Sequence, residues 1–421
     1  MNQMMQCIQL LENGELDKAY ELLNKIKDSG TEDEIYELAE QMANFGFLEE
    51  AASLYQKLLE SYPGEGELLI SLAEININLD KEEEALLELE KITRDDPSYI
   101  EALLLQADLY QMDGLFEVSE QKLLEAQRMA PQEPVIHFAL AELYASIGKF
   151  AEAVYQYEQV MKEMDEIAGV NMNQRLADVY STAGEFEKAL EYYEVALNKK
   201  LDINVLYGYG LTAYQAGLYQ TAIQKLTEVI ELDPEYGSAY LPLARAYEHE
   251  EELDNAIEVV KKGMKTDPFN KEIHYFAGKI SAKLGNESDA EKFLREAIAI
   301  DSTYIEAILT INKLLLSQDR YHEIIEIVEP IISDGEEDPD MLWDFARACR
   351  EEERYSDALN SYRKAYSYLK NNDEFLQNYG FFLLEEGIIH DAIEIFKQLQ
   401  KNDPTNVEYI DVLERLESSD N

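Results

Sequence analysis

Five acidic residues, Glu40, Glu74, Asp108, Glu142 and Asp178, stand at nearly constant intervals in the first part of the chain. Leu211 follows, and four bases, Arg245, Lys279, Lys313 and Arg347, then continue the series before Phe381. Lys283 and Arg350 stand close to these bases and reinforce the basic stripe. Residues of these types do ionic recognition: carboxylates accept hydrogen bonds from cationic groups, and ammonium or guanidinium groups hold anions. Four residues before most members of this series runs an apolar row: Tyr36, Ile70, Leu104, Phe138, Tyr207, Leu241, Tyr275, Leu309 and Trp343, the only tryptophan. Aromatic and aliphatic anchors beside charges match the make-up of peptide-binding hot spots. A structural alternative stands beside this reading, in which the bases pair with acids of neighbouring segments such as Glu272, Glu306 and Asp340.

Catalytic chemistry finds no comparable foothold. His137, His249, His274, His322 and His390 fall at unrelated places in the pattern, and none has metal-ligand spacing with a third ligand. The stretch EHEEELD from Glu248 crowds a histidine with acids, but at a turn. DGEEDPD, from Asp334 to Asp340, lacks the alternating ligands and terminal glutamate of a calcium loop and reads as an acidic connector before a helix. There is no phosphate-cradling glycine loop and no nucleophile elbow. A non-enzymatic chain without metal or cofactor is expected.

The interval that spaces the charges belongs to the whole chain. Ala19, Ala51, Ala85, Ser119, Ala153, Ala189, Ala222, Ala256, Ala290, Ile324, Ala358 and Ala392 recur at spacings of 32 to 36 residues, mostly 34. With this row as position 20, a glycine marks position 15 in many units (Gly46, Gly114, Gly148, Gly184, Gly217, Gly285, Gly387), and a small residue usually stands at position 8. Proline closes several units at position 32: Pro63, Pro97, Pro131, Pro234, Pro268 and Pro404. Two helices with a tight turn and a short connector fill such a unit. Glycine ends the first helix because it tolerates positive φ, and proline stops the second. Small residues at 8 and 20 let the paired helices approach. Large apolar residues at 7, 11, 17 and 24, here Leu176, Tyr180, Phe186 and Tyr193, fill the space around that contact. The periodicity is helical throughout, and no stretch reads as a strand.

This pattern resembles the tetratricopeptide repeat family along nearly the whole chain. In length, acidity and end-to-end repeats it also resembles the YpiA-type cytoplasmic repeat proteins of Gram-positive bacteria. The resemblance implies an all-α, right-handed superhelical solenoid of about twelve helix pairs. The first helix of each pair, with positions 2, 5, 9, 12 and 13, would line a concave groove that grips extended segments or helices. Position 9 is the charged row and position 5 the apolar row. The lysine, asparagine and arginine set by which some family members clamp a terminal carboxylate is not matched here.

Three segments are expected: an N-terminal array over 1–168, a continuous C-terminal array over 169–404, and a capping helix and tail over 405–421. The break at 168 follows a two-residue excess around MDEIAGVNMN. The tenth unit breaks both small positions, with Asn312 and Ile324, and carries Pro330 in its second helix, so wider helix spacing or a bend is expected there. At the N-terminus Met1, Met4, Met5 and Ile8 are expected to be exposed, offering a contact for weak self-association.

The chain has 36 basic and 87 acidic residues, a net charge of −51. Such a surface repels a phosphate backbone, which excludes direct DNA or RNA binding. It attracts basic protein segments instead. There is no secretory signal pattern or membrane-length apolar run, and the two cysteines, Cys7 and Cys349, read as small buried residues in a reducing compartment, so a cytoplasmic location is expected. The expected function is a scaffold binding protein segments in the groove. The alternatives are a receptor for a small molecule or signalling peptide, and an acidic accessory factor of a nucleic-acid-handling complex such as RNA polymerase or the ribosome.

Overall fold

The computed structural model describes residues 3–167 and 169–419. The chain folds as two compact units, Met1–Lys200 and Leu201–Asn421.

The first unit holds six helix pairs. They are α1 (Gln3–Glu12) with α2 (Leu16–Ser29), α3 (Glu32–Asn44) with α4 (Leu48–Ser61), and α5 (Gly66–Asn78) with α6 (Glu82–Leu89). Then come α7 (Tyr99–Met112) with α8 (Phe116–Met129), α9 (Pro134–Ser146) with α10 (Phe150–Met161), and α11 (Met172–Thr182) with α12 (Phe186–Lys199). The second unit continues with α13 (Ile203–Gln215) and α14 (Tyr219–Leu232), α15 (Tyr240–His249) and α16 (Leu253–Thr266), and α17 (Lys271–Lys283) and α18 (Glu287–Ile300). It ends with α19 (Ile305–Ser317) and α20 (Tyr321–Ser333), α21 (Pro339–Glu351) and α22 (Tyr355–Leu369), α23 (Asp373–Glu385) and α24 (Ile389–Asn402), and a last helix α25 (Val407–Ser419). The expected twelve pairs and terminal helix are all present.

The residue excess in the fifth connector is spent on a two-residue antiparallel hairpin, in which β1 (Glu166–Ile167) pairs with β2 (Val170–Asn171). This corrects the expectation of no strand. The unit boundary at Lys200 falls one helix pair after the boundary expected at 168.

All twelve residues at position 20 are completely buried. At position 8 the approach is closest where glycine stands: a Cβ on Gly278 would meet Leu294 at 2.7 Å, and one on Gly210 would meet Leu226 at 2.8 Å. The turn between paired helices is left-handed at position 15 in every unit. Glycine adopts it in eight of them, while Asp80, Glu251, Asp319 and Glu353 adopt φ of 56 to 62° without glycine's freedom. That conformation costs an L-residue about 1 kcal/mol, so the packing of the helix pair, not the local preference, sets these four turns.

The tenth pair departs as expected. Asn312 and Ile324 are fully buried where small residues stand elsewhere. Helices α19 and α20 pack less extensively than any other pair, and α19 leans further onto α21 than other first helices lean on their successors. The buried Asn312 amide has no well-aligned hydrogen-bond partner among the described residues, although it lies near enough to Asp344 to draw on that carboxyl.

At the N-terminus Met5 is exposed and Met4 half-buried, but Ile8 is buried beside Cys7 against α2, a correction to the exposure expected of it. Position 8 of the first unit already needs its core. Met1 lies outside the described residues. Burial pushes the Cys7 thiol up to about 11 and the Cys349 thiol up to about 12.

Candidate functional site

First helices of successive pairs pack on one another at several junctions, an ion pair joins α9 to α11, and α3 and α5 share a cleft, so equivalent positions form rows. The acidic row lies wholly in the first unit and the basic row wholly in the second.

In the first unit the row has two different states. At its end, Glu142 on α9 and Asp178 on α11 share Arg175, three residues before Asp178. The Arg175 Nε lies 3.1 Å from Glu142 Oε1, and Nη1 lies 3.9 Å from Asp178. Tyrosines at position 24 of the second helices complete the arrangement: the Tyr157 hydroxyl donates to Glu142 at 2.5 Å and the Tyr193 hydroxyl to Asp178 at 2.6 Å. Burial holds the Asp178 carboxyl above its usual range, while the Tyr193 hydroxyl and Arg175 pull it back. By contrast, Glu40, Glu74 and Asp108 make no hydrogen bond or ion pair among the described residues. Partial withdrawal from water raises the Asp108 and Glu74 carboxyls, and Glu101 adds to the rise at Glu74. Glu40 and Glu74 face one open cleft of about 310 Å³, with Tyr55 and Ser71 in its wall.

The basic row of the second unit is unequally engaged. Arg245 reaches Glu272 at 3.7 Å, the one pairing of this row with a position-2 acid among the described residues. Lys279 and Lys283 both close on Glu248 of the preceding pair, at 2.8 and 2.5 Å. They hold its carboxyl below the usual range against the opposing effect of burial. Arg350 bonds Glu385 at 2.5 Å. Among the described residues Arg347 has only a 4.0 Å ion-pair contact, with Asp344 on its own helix, and lies over the Trp343 ring at 5.9 Å. Lys313 is exposed and makes no ion pair among the described residues; neither Glu306 nor Asp340 takes it.

The apolar row is half-buried except at Ile70, which is buried in the core, and its aromatics lean on later aromatics. Tyr207 meets Tyr236 at 5.2 Å, Tyr275 meets Tyr304 at 5.4 Å, and Trp343 meets Phe375 edge-on at 5.6 Å. The Trp343 Nε1–H donates to Asn378 at 3.3 Å. Leu241 is half-buried without a ring partner.

Several polar devices here were not singled out from the sequence. Arg175 and Tyr157 are one, joined by Tyr193, which the sequence marks only as an apolar filler. Asp344 is another: burial pushes its carboxyl up to about 6, against the pull of Arg347 and Asn312. The histidines also need correction, because His137 and His274 share position 4. Each ring places Nε2 3.0 Å from a proline carbonyl at position 32 of the preceding unit, Pro131 and Pro268. Tyr240 does the same with its hydroxyl to Pro234 at 2.7 Å. These are junction fasteners, legible only once residues are aligned by repeat position. His249 stacks flat on Tyr219 at 4.3 Å. Among the described residues no group of three or more His, Cys, Asp or Glu is placed to hold a metal ion, and no helix is long and apolar enough to cross a membrane.

The repeats match known families. The profile described as YpiA-like tetratricopeptide repeats matches residues 111–165, and that of YpiA-like C-terminal tetratricopeptide repeats matches 339–406. General tetratricopeptide profiles match 46–109, 175–232, 213–280 and 271–304. The TPR repeat-containing protein YpiA of Bacillus subtilis (strain 168) is 42% identical over 418 residues, 99% of each chain. The chain belongs to the YpiA-like tetratricopeptide repeat family. Among solved structures, YrrB, described as a TPR protein with an unusual peptide-binding site, is 20% identical and covers 44% of this chain and 95% of its own, with a TM-score of 0.38. MamA is 22% identical over 41% of this chain and 94% of its own, with a TM-score of 0.37. Tetratricopeptide repeats as a class mediate protein–protein interactions, and the YpiA-like family is built of them from end to end.

Proposed function

We propose that this YpiA-like chain is a non-enzymatic interaction scaffold whose first-helix rows bind protein segments of opposite charge in its two units. The first unit takes basic segments at Glu40, Glu74 and Asp108. The second takes an acidic segment or a terminal carboxylate at Lys313 and Arg347, with Trp343 as apolar anchor and Arg245, Lys279, Lys283 and Arg350 as a flanking positive field. The observation that carries this is the pattern of unused charge. Side chains on the same helix face are consumed internally at some repeats and left without partners at others. Complementary charge on a partner then sets specificity and encounter rate more than raw affinity. A net charge of −51 disfavours nucleic acid and favours basic protein surfaces. Two buried thiols without a disulfide suit a cytoplasmic chain.

The test is capture from host lysate at low and moderate salt with three baits: wild type, Lys313→Glu/Arg347→Glu, and Glu40→Lys/Glu74→Lys. Each variant should lose a different subset of partners while keeping the wild-type helical circular dichroism. Identical partner sets on all three baits would refute the reading.

A further inference from the structure

The repeat register lets one part of the first unit be laid over another. Position 9 of the fifth pair, position 24 of the same pair, and positions 6 and 9 of the sixth are Glu142, Tyr157, Arg175 and Asp178. The same four positions in the second and third pairs are Glu40, Tyr55, Ser71 and Glu74. The carboxylates and the tyrosine are kept, glutamate standing for aspartate once. The arginine is replaced by a serine. Where the arginine stands, its guanidinium lies between the carboxylates of α9 and α11 as ion pairs of 3.1 and 3.9 Å, with Nε close to Glu142 but not aligned for a hydrogen bond. Where the serine stands, there is the open cleft of about 310 Å³, and neither carboxylate has found another cation. The Ser71 hydroxyl is turned back to the Glu67 carbonyl at 3.1 Å. The intervening junctions lack this set, because position 24 is leucine there, Leu89 and Leu123.

We infer that the cleft lined by Glu40, Tyr55, Ser71 and Glu74 takes the guanidinium of an arginine on a partner segment, in the way that Arg175 occupies the corresponding place between Glu142 and Asp178. This rests on the reading of the acidic row as a partner-binding face and gives that partner's chemistry. The chain itself displays the occupied state of the site at one junction and the open state at another. A planar guanidinium has donors on two edges and serves two carboxylates from adjacent helices at once. A lysine ammonium is a point charge and satisfies such a pair less well. Leu48 and Ile75 also line the cleft and give the arginine methylenes an apolar wall.

The test uses the full chain, amide-resolved NMR at low salt, and two probes, Nα-acetyl-arginine amide and Nα-acetyl-lysine amide. In the wild type, the arginine probe should produce saturable shifts confined to the neighbourhood of Glu40, Tyr55 and Glu74, with the lysine probe binding more weakly. Ser71→Arg supplies the missing guanidinium in cis and should weaken probe binding by at least about tenfold, the loss of a charge-assisted bonding pair. Arg175→Ser should open a second site and add a new set of shifts around Glu142, Tyr157 and Asp178. Shifts that scatter over surface carboxylates without saturating, or an unchanged response in Ser71→Arg, would overturn the inference. Circular dichroism of both variants guards against misfolding, and Ser71→Arg does not depend on the stability of Arg175→Ser. Partner capture that still responds to Glu40→Lys/Glu74→Lys when the arginine probe fails would sink this inference alone. Probe binding without such capture would sink the broader reading instead.

Discussion

The two units use the same helix-pair geometry but carry opposite charge on the first-helix row and satisfy it with different donors. In the first, cations are scarce on the inner face. Its one bridging arginine serves Glu142 and Asp178, tyrosine hydroxyls supply the other donors, and three carboxylates stay unengaged among the described residues. Between second helices the first unit uses a lysine, Lys149 on Glu120 at 3.1 Å, where the second unit uses arginine forks in the same register. Arg320 bonds Glu291 through Nη1 and Nη2 at 2.6 and 2.8 Å, and bonds Glu323 through Nε and Nη2 at 2.6 and 2.8 Å. Arg354 joins Glu329 on α20 to Asp357 on α22. The repeat decides where a side chain points; the neighbouring residue types decide whether its charge is consumed inside the array or left for something else to meet.

The largest expected break in this comparison is steric. Gly278→Asn puts into the ninth pair the residue that the tenth tolerates as Asn312. With Leu294 already 2.7 Å from a Cβ there, it should cost about 3 kcal/mol by urea unfolding, the upper range for overpacking a core. A cost near zero would mean that every pair in the second unit can loosen as the tenth has.

Next in size is Arg320→Met, which leaves Glu291 and Glu323 to Arg295 alone, at 2.8 and 2.5 Å. A loss of about 1–2 kcal/mol is expected, discounted because the pair is a third exposed, and it should shrink at high salt. Arg320 holds the Glu291 carboxyl down at about 2. A depressed acid stabilises the fold above its unfolded value and loses that contribution as pH falls from about 4.5 towards 2. The wild-type and variant stability curves should therefore converge over that acid window. Tyr157→Phe in the first unit should show no comparable salt dependence, which separates the two strategies.

Asp344 gives the opposite sign. Its folded value of about 6 lies above the unfolded one, so the native state binds the proton more tightly, and stability declines as pH rises from about 4 through 6. Asp344→Asn should flatten that part of the curve and gain on the order of 1–2 kcal/mol at neutral pH. No gain in thermal unfolding at pH 7 would show that the carboxylate is compensated there. The smallest effect is expected at the turns: Glu353→Gly should raise stability by about 0.5–1 kcal/mol, because φ of 59° no longer strains a side chain.

Much of this is legible in the amino-acid order. A period of 34 residues with small residues at two fixed places dictates paired helices, and Asn312 with Ile324 marks the loosened tenth pair. The charged rows are visible for the same reason. Their partners are not, because each pairing joins different positions of different repeats: Glu142 with Tyr157 and Arg175, Lys279 with Glu248 rather than Glu306. Single-residue reading also misses that His137 and His274 are one position seen twice. The turns at Asp80, Glu251, Asp319 and Glu353 carry no local signal, since their backbone is set by the helices they join.

Trp343 is the chain's sole tryptophan and stands beside Arg347 in the basic row, whereas the first unit has only tyrosines and phenylalanines for chromophores. The molecule therefore carries an intrinsic optical label on one half. If a ligand binds at Arg347 as proposed, indole emission should change, while filling of the proposed Glu40–Glu74 site should leave it unchanged. The two proposed binding events could then be told apart on one unmodified protein, one by fluorescence and the other by its silence.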